Sequence, residues 1–206
     1  MPEINTLVPQ EQLEYMSRRD RKKQETRWRI YDAAIALISK LGYEDVKIED
    51  ICAAADVSNA AFFHHFSNKA ALIGAYVDKL KLEIKNKLDE TPEASAREKL
   101  ETINQEVASS SQSTAAFTPQ LFAALTSGDS KLDMEHIDTG ITGTLAQIIK
   151  DGQDNGEFSK EWHPEIVAVS LTASWIIMPL AKEGPRFPSD PYSELLSLML
   201  AGLTTS

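Results

Sequence analysis

Apolar residues recur along this chain at helical spacing, and no stretch alternates as a strand would. Ile30, Ala34, Leu37, Ile38 and Leu41 fall on one stripe and predict a helix over 20–41, with Gly42 as its stop. Gln10 to Arg19 can extend it towards the N-terminus. Ile48, Ile51, Cys52 and Ala55 then give a short helix an apolar face. Asp56, Val57 and Ser58 make a turn, and Ser58 suits the N-cap of a second short helix over 59–65. A long helix starts near Asn68, with Leu72, Tyr76, Leu80, Ile84 and Leu88 four apart, and ends before Pro92.

The second half reads as helical too. Segments are expected at 93–109, closed by the serine-rich run 109–113, and at 119–126. Another spans 132–154, with Gly140 and Gly143 weakening its middle. Pro164 opens a helix that runs to about 182, and Gly184 and its neighbours break it. Ser189 caps the last one. The expected fold is all-α with about nine helices: an N-terminal extension over 1–19, a three-helix domain over 20–67 and a larger helical domain over 68–206. Two short helices joined by a tight turn form a helix-turn-helix, whose second helix enters the DNA major groove.

Composition narrows this picture. The chain has 206 residues, 42% of them apolar, and one cysteine. That excludes a disulfide framework and allows one or two domains. No membrane span and no signal peptide are expected, so the chain reads as cytoplasmic. The net charge of −10 suits DNA poorly until its distribution is considered. Residues 1–80 hold 11 Lys/Arg against 12 Asp/Glu, and residues 81–206 hold 10 against 19. Within 18–29, seven Lys/Arg face only Asp20 and Glu25. Arg21, Lys22 and Lys23 thus lie just ahead of the two short helices, where phosphates would be neutralised. As a solvated helix face, the same run would need no partner.

The stretch 27–72 resembles the DNA-binding domain of the TetR family of bacterial repressors. Arg27, Ile30, Ala33, Ala34, Leu37 and Gly42 match the first part of that family's pattern. Ile51, Ala55, Val57, Ser58, His65, Phe66, Lys69 and Leu72 match the rest. The resemblance implies a homodimeric repressor on a palindromic operator, released by a small apolar effector. Lys47, Ser58, Asn59, Ala60, Phe63, His64, His65 and Lys69 would then meet DNA. Asn59 suits adenine, Ala60 a thymine methyl, and His65 and Lys69 phosphates. Three positions depart from the pattern: Asp56 replaces a turn glycine, Ala61 a threonine and Phe63 a tyrosine. Two phosphate-bonding hydroxyls are thereby lost. An alternative reading is a helical ligand-binding protein with weakened DNA binding that acts through a protein partner.

An effector pocket would be lined by Ile103, Val107, Phe117, Leu121, Phe122, Leu125, Leu145, Ile149, Trp175 and Met178, each equally an ordinary core residue. Pairing of the last two helices with a second copy would use Val167, Leu171, Ser174, Leu195, Leu196, Met199 and Leu203. Neither a metal site nor a cofactor is expected. His64 and His65 diverge by about 100° on a helix, and no nucleophile–base motif appears.

Overall fold

The computed structural model describes residues 16–114, 140–181 and 188–204. Among them are eight helices and no strand: α1 (Arg18–Leu41), α2 (Ile48–Ala54), α3 (Asn59–His65), α4 (Ala71–Glu90), α5 (Ala96–Thr114), α6 (Ile141–Asp154), α7 (Pro164–Ala181) and α8 (Pro191–Leu203). The chain divides into two compact units, Met1–Glu83 and Ile84–Ser206. The segment expected at 119–126 and the first residues of the one expected at 132–154 lie outside the described residues, as do Phe117, Leu121, Phe122 and Leu125.

In the first unit α1 is longer than its apolar stripe requires. Ser17 caps it: the Asp20 amide donates to the Ser17 hydroxyl, which donates in turn to the Asp20 carboxylate at 2.7 Å. The basic run 18–29 is therefore helical throughout. Trp28, Ile30, Tyr31, Ala34 and Ile38 are the buried positions of α1, while Leu41 is exposed. α1 packs on α2 and α2 on α3, and Ile51, Cys52 and Ala55 from α2 and its C-cap, Phe62 from α3, and Phe66 are buried with them. Leu72, Ile73, Tyr76 and Leu80 of α4 are buried as well. Asn68 opens α4 by accepting the Ala71 amide on its side chain.

The turn between α2 and α3 depends on one residue. The Val57 amide donates to Cys52 O and the Asp56 amide to Ala53 O. This crossed pair is the Schellman closure of a helix end, which needs a left-handed residue in the middle. Asp56 supplies it, with φ 50°, and is the one non-glycine residue with positive φ among those described. Asp tolerates this region better than most residues because its short polar side chain can bond locally.

In the second unit α6 and α7 pack together, and α5 packs on both α6 and α8. The serine-rich run does not close α5, which continues to Thr114. Ser111 lies one turn beyond Val107 on the buried side, and its hydroxyl donates back to Ala108 O. A serine that satisfies its hydroxyl within its own helix need not end it. Glu157 caps α5 from a distance: its carboxylate accepts the Ala96 and Arg97 amides. Gln153 is buried and donates to Ser159 O and Trp162 O, which shapes the α6–α7 connection. Gly152 is a close approach, because a Cβ there would come within 2.5 Å of the Phe158 ring. Trp175 Nε1 donates to Asn104 Oδ1 at 3.0 Å, a buried bond between α7 and α5.

Asp56→Gly relieves the left-handed strain and is expected to stabilise the protein by about 1 kcal/mol. A higher midpoint of thermal unfolding checks this, and an unchanged or lower one contradicts it.

Candidate nucleic-acid interface

The second short helix has two unlike sides. Ser58 caps α3 by accepting the Ala61 amide at 3.1 Å. Phe62 is fully buried and Phe66 nearly so, and their rings lie 5.7 Å apart. Asn59, Ala60, Phe63 and His64 are exposed, and Ala61 and His65 lie at the margin. Phe63 is 54% exposed, and its ring stands edge-on to Phe62 at 5.5 Å. Lys47, at the N-cap of α2, is exposed, as are Arg21, Lys22 and Lys23 on α1. The Lys47 amide donates to the Asp50 carboxylate, which holds the start of α2.

Arg27 fixes how α3 is held. Its guanidinium donates to His65 O at 2.9 Å, one of the carbonyls left open at the end of α3. The same group lies 4.6 Å above the Phe66 ring and 3.6 Å from the Asp78 carboxylate on α4. One planar cation thus joins α1, the end of α3 and α4. The ion pair with half-exposed Asp78 adds little on its own. The stacking and the charge-assisted bond to a carbonyl contribute more.

Lys69 holds the neighbouring loop. Its Nζ donates to Tyr43 O and to Val46 O, and lies 4.2 Å from the Tyr43 ring centroid. Lys69 sits in the turn before α4, and two of its three protons serve the α1–α2 connection that leads to Lys47. A cation that looks like a surface contact in the sequence therefore has an internal task, with one proton left for an outside acceptor.

His65 is held below the usual imidazole range. Desolvation is the main cause, and His64, Arg27 and Lys23 add positive charge nearby. Cys52 is buried, and its thiol is pushed up by burial and then by Glu49, as suits an unreactive core sulfur. Among the described residues no group of three His, Cys, Asp or Glu could hold a metal ion, and no helix is long and apolar enough to cross a membrane.

In the second unit, Ile103, Val107, Leu145, Ile149 and Trp175 are buried and Met178 partly so. Leu171, Leu196 and Leu203 are buried inside this unit, packed against its own helices. Val167, Ser174, Leu195 and Met199 are partly exposed. The exposed large apolar residues on the last two helices are Ile166, Val169 and Ile177 on α7 and Leu198 on α8. The sequence reading missed them because both helices are apolar nearly all round, so periodicity does not mark an outer face.

A capped short helix, a left-handed turn and a second short helix with a buried phenylalanine side and an exposed polar side define a helix-turn-helix protein. Residues 30–76 match the family model described as bacterial regulatory proteins, tetR family. The matched stretch runs from α1 through both short helices into α4, and over it the chain resembles the DNA-binding part of these transcriptional regulators. Solved structures share the fold over most of the chain. A TetR-family transcriptional regulator from Rhodococcus sp. is 20% identical, with a TM-score of 0.71 over 88% of this chain and 100% of that one. FadR from Thermus thermophilus, described as a TetR-family repressor in complex with lauroyl-CoA, is 21% identical, with a TM-score of 0.62 over 87% and 96%. A fatty acid degradation regulator from Bacillus halodurans is 20% identical, with a TM-score of 0.65 over 85% and 98%. A search of curated proteins finds no match.

Arg27→Lys keeps the charge but loses the planar fork and the stacked face. It is expected to cost about 1–2 kcal/mol, from a weakened cation–π contact and a weakened charged hydrogen bond. Urea unfolding of the full-length protein measures this, and an unshifted midpoint would count against the joint at Arg27. His65 supplies a pH test. Its folded pKa is below the unfolded value of about 6.5, so the unfolded chain binds the proton more readily. The stability tied to neutral His65 is present above pH 6.5 and declines as pH falls through the folded value. His65→Gln should lose less stability than the parent between pH 7.5 and 5.5, and equal losses would refute the assignment.

Proposed function

We infer that this protein is a homodimeric transcriptional repressor that binds a palindromic operator and releases it on taking up a small apolar molecule. The observation that carries the reading is the exposed side of α3. It offers Asn59, Ala60, Phe63 and His64 outward while Phe62 and Phe66 anchor the helix from behind. In this reading residues 20–67 bind DNA, and residues 68–206 take the effector and hold the dimer. Arg21, Lys22, Lys23 and Lys47 neutralise phosphates and set the register, with Ser58, His65 and the remaining proton of Lys69 adding donors. Asn59 and Ala60 read base edges.

The dimer reading draws on α7 and α8. Ile166, Val169 and Ile177 recur at helical spacing on the outer side of α7, and Leu198 is 71% exposed on α8. A second copy would cover these residues together with Val167, Ser174, Leu195 and Met199. Two copies match the two half-sites of a palindrome, about 34 Å apart or a multiple of that distance. The effector reading draws on the apolar interior among α5, α6 and α7, where Ile103, Val107, Leu145, Ile149 and Trp175 would turn towards an apolar ligand. The fold shared with a lauroyl-CoA-bound repressor makes acyl chains the first probes to try.

A mobility-shift assay with DNA from upstream of the protein's own gene tests the proposal. A sequence-selective shift at moderate salt is expected, with Lys47→Ala weakening all duplexes alike. Asn59→Ala should also blunt discrimination between operator and altered operator, by about 1–3 kcal/mol if the contact is bidentate. No selective shift would overturn it.

A further inference from the structure

Phe63 occupies a place that the phosphate and base contacts above do not explain. At about 100° per residue, the exposed residues of α3 fall in the order Asn59, Phe63, Ala60, His64 around roughly 140° of the helix. Phe63 thus sits between Asn59 and Ala60, in the middle of the outward arc. The residue is 54% exposed, and its ring stands edge-on against buried Phe62. It has no atom that can bond a phosphate. The arc around it holds no lysine, arginine or carboxylate that its methylene or ring could serve to position.

The edges of the bases in the major groove are almost wholly donors and acceptors. Their one apolar group is the C5-methyl of thymine. A rigid, uncharged ring near the centre of the outward arc of a helix lodged in that groove tells bases apart chiefly by covering such a methyl. Ala60 extends the same apolar patch on one side of it, and Asn59 offers an amide to adenine on the other.

We propose that Phe63 is a specificity-determining residue that selects a thymine in each operator half-site by covering its C5-methyl. This rests on the DNA-binding reading given above and deepens it. The contact is a non-polar one, so it is lost when the methyl alone is removed, with pairing and groove hydrogen bonds unchanged.

The test uses the full-length protein and duplexes recovered by selection from a random-sequence library. Each thymine of the recovered site is replaced in turn by uracil, which lacks only the methyl. One position per half-site should weaken binding by about fourfold, the worth of one buried methyl group. Phe63→Ala should bind thymine and uracil versions of that position equally, and Phe63→Tyr, which keeps the ring, should retain the difference. Phe63→Gln provides a second truncation, judged in the same way, should Phe63→Ala lose its helical circular dichroism. The proposal is overturned if no uracil replacement weakens the parent, or if the penalty is the same in the ring-deleted variants. A library that returns no selective duplex overturns the DNA-binding reading itself, and the inference with it. Selective binding without a uracil effect overturns only the inference.

Discussion

The guanidinium of Arg27 is the joint on which the first unit turns. A seven-residue helix has too few internal hydrogen bonds to persist alone, since most of its amides and carbonyls lie within a turn of an end. α3 is held instead from outside. Ser58 closes its N-terminus, Phe62 and Phe66 bury its back, and Arg27 takes the His65 carbonyl at its far end while covering the Phe66 ring. The orientation of Asn59, Ala60, Phe63 and His64 follows from these three restraints.

The same logic extends to the loops on either side. Asp56 bends the chain into α3 through a left-handed backbone, and Lys69 ties the turn after it to the carbonyls of Tyr43 and Val46. Each restraint is polar and specific in direction, whereas the apolar core beneath supplies most of the stability and little of the aim. Short helices of this kind require both. Burial keeps them present, and a few placed hydrogen bonds keep the exposed face of α3 pointed outward.

Much of this was legible in the sequence, and the reason is local. The spacing of Ile51, Ala55, Val57, Ser58, Phe62 and Phe66 encodes two helices and a turn within sixteen residues, and each cap lies a few positions from the groups it satisfies. Asp56 stood where a glycine is usual, which marked the left-handed position. What was not legible is tertiary. The carbonyl partners of Arg27 and Lys69 lie 38, 26 and 23 residues away, and a main-chain acceptor leaves no trace in residue type. In α7 and α8, apolar residues on nearly every side concealed that Leu171, Leu196 and Leu203 turn inward while Ile166, Val169 and Leu198 turn outward. The serine run after Val107 looked like a stop, but the hydroxyl of Ser111 is satisfied within its own helix.

The commitment of Arg27 and Lys69 to internal partners also bears on ionic strength. Affinity for DNA falls with salt in proportion to the number of phosphates that cations neutralise, because each one releases condensed counterions. A cation bonded to carbonyls and stacked on a ring keeps its charge but has fewer protons and less reach to bring to a phosphate. In the proposed reading the salt sensitivity on DNA is set by a smaller group, Arg21, Lys22, Lys23 and Lys47 foremost. It would then be shallower than the count of basic residues near the two short helices suggests, and a larger share of the affinity would persist as the medium becomes more concentrated.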